Sequence, residues 1–128
     1  MMTWRFMLMA GILSAHLPVC GEELLPETVQ FNRDIRPLLS NNCFLCHGPD
    51  QGRRKGKLRL DVEADAKKDV IVPGNVADSE LWARITSTDP DEMMPPAKSK
   101  KTLTPHQKSL LKRWIEQGAK YEGHWAFI

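Results

Sequence analysis

The chain has 128 residues, 41% of them hydrophobic and 7% aromatic, with 18 Lys and Arg against 16 Asp and Glu and three cysteines. This describes one small globular domain; it excludes a disordered chain, a disulfide-dense scaffold and a transmembrane helix, for which no apolar run approaches the roughly 20 residues needed. A formal charge of +2 also falls short of the clearly basic domain expected of a nucleic-acid binder.

Arg5 precedes the apolar run Phe6-Met7-Leu8-Met9-Ala10-Gly11-Ile12-Leu13, which breaks at Ser14, His16 and Pro18. A positive n-region followed by a short h-region reads as a signal peptide over residues 1–21, with Val19 and Gly21 at the small-residue positions before the cut. The competing reading is a frayed helical start of the domain. Leu17-Pro18-Val19-Cys20 also has the outline of a lipobox, departing from it at Val19; acylation of Cys20 would anchor the chain to a membrane. Export places the chain in the periplasm or otherwise outside the cytoplasmic membrane, where thiols oxidise unless they are engaged. Residues 22–29 read as a linker and 30–121 as the domain.

Phe31, Ile35, Leu38 and Leu39 form the stripe of an amphipathic helix, with Asn32 as a candidate cap. This helix runs into Cys43-Phe44-Leu45-Cys46-His47, the C-x-x-C-H pattern of c-type haem attachment. Two cysteines on one helical turn can add across the two vinyl groups of a haem, and the adjacent His is then placed to ligate its iron. The rival readings are weaker. A thioredoxin-like motif needs a preceding strand, a structural zinc site needs about four paired ligands, and a plain disulfide leaves His47 without a role.

The loop that follows carries the basic run Arg53-Arg54-Lys55-Gly56-Lys57-Leu58-Arg59. It reads as a solvated face, with docking of an acidic partner as the alternative and Arg59 as a candidate partner for a haem propionate. Ser79 to Ile85 reads as a second helix, capped by Ser79 and with Leu81, Trp82 and Ile85 inward. A c-type iron usually takes a second axial ligand, commonly methionine. Outside the signal peptide only Met93 and Met94 exist. Met94, next to the stiff Pro95-Pro96 pair, is the choice, with Met93 as the alternative.

Thr104-Pro105-His106-Gln107 reads as the start of the last helix, a capping box with Pro at N1. Leu110, Leu111, Trp114 and Ile115 supply its apolar face and Gly118 its C-terminal stop. His106 could serve as a distal ligand, but the second helical position favours a surface role. Trp114 and Trp125 could relay electrons, but packing is the ordinary use of Trp. With a small core, the chain is expected to depend on its cofactor for folding.

In chain order, Phe31 to Ser40, Asn42 to Asp50, Leu58-Arg59-Leu60-Asp61, Pro73-Gly74, Ser79-Glu80-Leu81, Met94-Pro95-Pro96, Leu103-Thr104, Trp114 to Ala119 and His124 to Phe127 together resemble the planctomycete-type cytochrome c family. In that family the domain stands at the N-terminus of large exported proteins. The resemblance implies an all-α, class I cytochrome c-like fold in which the first and last helices cross around one covalently bound haem c. It implies Cys43 and Cys46 as thioether sites, His47 as proximal and Met94 as distal iron ligand. Residues 122–128 then read as a tail or as the start of a downstream region. The function expected is one-electron transfer with an unidentified redox protein, without nucleic acid and without catalysis by this chain alone. The alternatives are a haem sensor or peroxidase-like domain with a labile distal ligand, and a structural or docking module.

Overall fold

The computed structural model describes residues 24–123. The signal peptide, with Cys20, and the stretch 124–128, with Trp125, lie outside the described residues. Among those described the chain is helical and contains no strand.

The apolar stripe beginning at Phe31 builds a π-helical turn, Phe31–Ile35, that continues directly into α1, Arg36–Asn42. Proline explains the wide turn. Pro37 has no N–H to donate and its ring would press on the carbonyl one turn back, a strain that an i to i+5 bond relieves; the Arg36 N–H accordingly donates to the Phe31 carbonyl. Phe31, Ile35, Leu38 and Leu39 are all buried.

Asn32 does not cap this helix. Gln30 holds the cap position, and its N–H donates to the Asp34 carboxylate at 2.8 Å. The Asn32 backbone N–H donates instead to the Glu122 carboxylate and its side-chain amide to the Gly123 carbonyl, at 2.9 and 2.8 Å. The partner lies some ninety residues away, beyond what local capping rules can see.

The last helix, α5, spans Pro105–Glu116 and starts as its capping box requires. The Gln107 N–H donates to the Thr104 hydroxyl at 3.2 Å and the Thr104 N–H to the Gln107 side chain at 2.9 Å, an arrangement that contributes about 1 kcal/mol. Leu111, Trp114 and Ile115 are buried, while Leu110 is only partly so. Gly118, at φ 99°, ends the helix in a left-handed conformation that costs glycine nothing. The first and last described helices meet through aromatic rings: Phe31 lies 5.7 Å from Trp114 and 4.3 Å from Tyr121, centroid to centroid. Trp114 is a core residue whose indole N–H donates to the Lys120 carbonyl at 2.9 Å.

Three short helices lie between: α2, Phe44–His47; α3, Glu63–Asp69; and α4, Glu80–Thr86. Helix α4 buries Leu81 and Ile85 and half-buries Trp82. Ser79 stands at its cap position without a capping bond. Its buried hydroxyl instead donates to the Asn75 carbonyl at 2.7 Å and accepts from the Val72 N–H at 2.9 Å, closing the loop before the helix. Helix α3 has no counterpart in the sequence reading. Only Ala66 on it is buried, so it shows no apolar stripe; Glu63 and Asp65 in its first turn, Lys67 and Lys68 in its last, and the 2.5 Å Glu63–Lys67 pair favour it instead.

Candidate functional site

Helix α1 delivers Cys43 with its N–H bonded to the Leu39 carbonyl at 2.7 Å. From there one turn forms, the Cys46 and His47 N–H groups both donating to the Cys43 carbonyl, at 3.1 and 2.8 Å. The chain then doubles back sharply at Gly48, where a Cβ would stand 2.3 Å from the Phe44 carbonyl oxygen; no other residue fits without moving the turn. The returning loop brackets the motif. The Lys55 N–H donates to the Cys46 carbonyl and the Leu60 N–H to the His47 carbonyl, both at 2.8 Å.

The imidazole is held by the same loop. His47 Nδ1–H donates to the Lys55 carbonyl at 3.2 Å, leaving Nε2 as the acceptor nitrogen. Burial holds its pKa below the usual histidine value, so the ring is neutral, the form that binds metal. Burial also pushes the Cys43 thiol up to about 12, partly opposed by Lys101. A dithiol oxidoreductase needs the opposite, an attacking thiol with a lowered pKa. Both thiols are unpaired.

Behind the loop, the Tyr121 hydroxyl donates to the Leu60 carbonyl at 2.9 Å, so the C-terminal segment steadies the residue that bonds His47. Burial, with Glu63 and Asp61 nearby, raises the Tyr121 pKa, keeping the phenol a donor. Tyr121→Phe removes the bond and leaves a carbonyl of buried Leu60 unpaired. The expected cost is about 1–2 kcal/mol in denaturant unfolding, with the α-helical circular dichroism of the folded chain unchanged.

Cys43, Cys46, His47 and Met94 all line one cleft of about 800 Å³, its open mouth included. Its walls are mostly apolar, with Leu58, Leu60, Leu81 and Ile85 among them. Met94 is carried by the loop after α4, where its N–H donates to the Arg84 carbonyl at 2.9 Å and the cis Met94–Pro95 bond leads into Pro95 and Pro96, which also line the cleft. Met93, half-buried, does not line it. Neither does His106 on α5.

Arg59 is likewise absent from the lining. Its guanidinium is engaged by Asp61, with N to O distances of 3.1 and 2.5 Å. The cations that do reach the cleft are Arg84, carried by α4, and Lys101, carried by the polar stretch after the Ala97–Ser99 turn; no local pattern marks either. The apolar walls from Leu58 and Leu60 are equally hidden in sequence, sitting inside a basic, loop-like run.

The residues present fit a haem of the c type: a dithiol turn, a neutral imidazole and a thioether on a largely apolar cleft. The fold and the cleft define a small all-α, cytochrome c-like domain. Residues 43–98 match the family model described as planctomycete cytochrome C, and the chain resembles that family, for which haem binding is implied by the cytochrome c class. Comparison with curated proteins and with solved structures gave no match. Among the described residues no helix is long and apolar enough to cross a membrane.

Proposed function

We propose that the chain is a monohaem c-type cytochrome that passes single electrons outside the cytoplasmic membrane. The observation that carries this reading is the convergence of Cys43, Cys46, His47 and Met94 on one apolar cleft. Cys43 and Cys46 would hold the macrocycle through thioethers, and His47, through Nε2, and Met94 would supply the ligands to its iron. When bound, haem supplies the Fe(II)/Fe(III) couple.

The polypeptide's part is positional. The Lys55 carbonyl fixes the tautomer and orientation of His47, and the Arg84 carbonyl together with the two prolines holds Met94. The apolar walls limit water, which favours a high potential and a small reorganisation on electron transfer. No acid–base pair or activated nucleophile enters this chemistry. Export by the N-terminal segment supplies the compartment, with the membrane involved only through an acylated Cys20, and the redox partner is a protein.

Mass spectrometry of the chain produced with cytochrome c maturation machinery tests the reading. One covalently added haem per polypeptide is expected on the peptide containing residues 43–47. An unmodified chain, or two haems, overturns it.

A further inference from the structure

Helix α4 ends at Thr86, so the carbonyls of its last turn have no donor within the helix. One of them, that of Arg84, accepts the Met94 N–H at 2.9 Å. The side chain of the same residue reaches the same loop. Its guanidinium donates through Nη1 to the Glu92 carbonyl at 3.4 Å, and through Nε to the Glu80 carboxylate, one turn earlier on α4, at 2.6 Å. Arg84 also lines the cleft, as Met94 does. Backbone and side chain of one residue thus grip the methionine loop at two points two residues apart.

The ion pair is poorly placed to stabilise the fold. Arg84 and Glu80 keep 39% and 50% of their side-chain surface exposed, and such pairs contribute little to folding. Two others share the i to i+4 spacing, Glu63–Lys67 on α3 and Lys112–Glu116 on α5, yet none of their residues lines the cleft. The Glu80–Arg84 pair differs in having a third partner, a carbonyl of the loop that carries Met94. A guanidinium suits this task, because its rigid planar fork holds two acceptors in fixed directions, whereas a lysine ammonium on its flexible stem fixes neither.

From this chain of contacts, Glu80 to Arg84 to the Glu92 carbonyl, we infer that Arg84 is a positioning residue for the distal ligand and that Glu80 orients it. The inference rests on the haem reading above and deepens it. The pair holds Met94 at the cleft and so keeps the sixth position of the iron closed to small ligands. Without it the loop keeps the Met94 backbone bond and its prolines but is released at Glu92, and the thioether is displaced more easily.

The opposite charges of the two side chains supply the test. Acting on the iron through their fields, Arg84→Leu and Glu80→Ala would shift the reduction potential in opposite directions. Acting as one positioning chain, they change the protein in the same direction. In the haem protein both substitutions are expected to weaken the Met–iron charge-transfer absorption and to speed hydrogen exchange of the Met94 amide. Both are also expected to speed imidazole binding to the oxidised form roughly two- to tenfold, the factor that corresponds to one lost hydrogen bond. Glu80→Gln keeps the acceptor and is expected to behave as the wild type, with Arg84→Lys intermediate. Glu63→Ala breaks the matching pair on α3 and is expected to change none of these readings. Opposite shifts of the potential with unchanged imidazole binding overturn the inference, as do equal effects of Glu63→Ala; should Arg84→Leu fail to fold, Glu80→Ala against Glu80→Gln decides alone. Absence of haem from the unsubstituted protein defeats the function proposed above, whereas a normal haem spectrum with imidazole binding unchanged in both variants defeats only the positioning role.

Discussion

Replacing both Cys43 and Cys46 by serine yields a chain that carries no covalent haem and does not reach the native fold. The cleft runs between the attachment turn, the α4 segment and the Met94 loop, and its walls include Leu58, Leu60, Leu81 and Ile85. In native packing such walls need a partner surface, because a gap of this size forfeits the contacts on one side of every lining atom. A domain this small has little stability to lose, since natural domains retain roughly 5–15 kcal/mol. A cofactor that binds only the folded chain adds several kcal/mol to that margin. Circular dichroism and limited proteolysis check the outcome: the double variant shows reduced helix and rapid cleavage within 43–98, while the wild-type haem protein resists. Either single serine variant retains one thioether and His47, so an intermediate stability is expected. A double variant with the helicity and midpoint of the wild type would mean that the cofactor is not part of the core.

Met94→Ala is expected to lower the reduction potential by an amount on the order of 0.2 V, a fraction of the roughly 0.8 V that axial ligands command. The direction follows from the ligand, because a methionine thioether opposite histidine raises the potential relative to water or a harder donor. The variant should also lose the Met–iron charge-transfer absorption of the oxidised protein and gain carbon monoxide binding in the reduced one. Met93→Ala is the internal comparison. Met93 does not line the cleft, so its removal should leave both the absorption and the potential unchanged. Exchange of these two results would move the distal ligand to Met93. Carbon monoxide binding by the unsubstituted protein would instead favour a sensor or peroxidase-like role, with a labile sixth position.

The attachment motif was legible because its chemistry is local: two thiols and an imidazole within one turn are read directly from five adjacent residues. The terminal helices were legible for a related reason. The stripe from Phe31 to Leu39 and the box at Thr104 and Gln107 each complete their pattern within a turn or two. Where a side chain's partner lies outside the first turn of its own helix, local capping rules failed. Asn32 has the chemistry of a cap yet binds Glu122 and Gly123, and Ser79 occupies a cap position yet spends its hydroxyl on Val72 and Asn75. Helix α3 escaped notice because a helix held by charges, with one buried alanine, leaves no hydrophobic period to detect.

By itself, then, the sequence marked the first and last helices, the Cys43-Phe44-Leu45-Cys46-His47 motif as the candidate site, and a choice between two neighbouring methionines. Tertiary structure decided that Met94 and not Met93 lines the cleft, and that Arg59 turns to Asp61 while Arg84 and Lys101 reach the cavity. Covalent spacing and helical period are properties of consecutive residues, whereas the composition of a cavity wall depends on how loops some fifty residues apart fold back on one another.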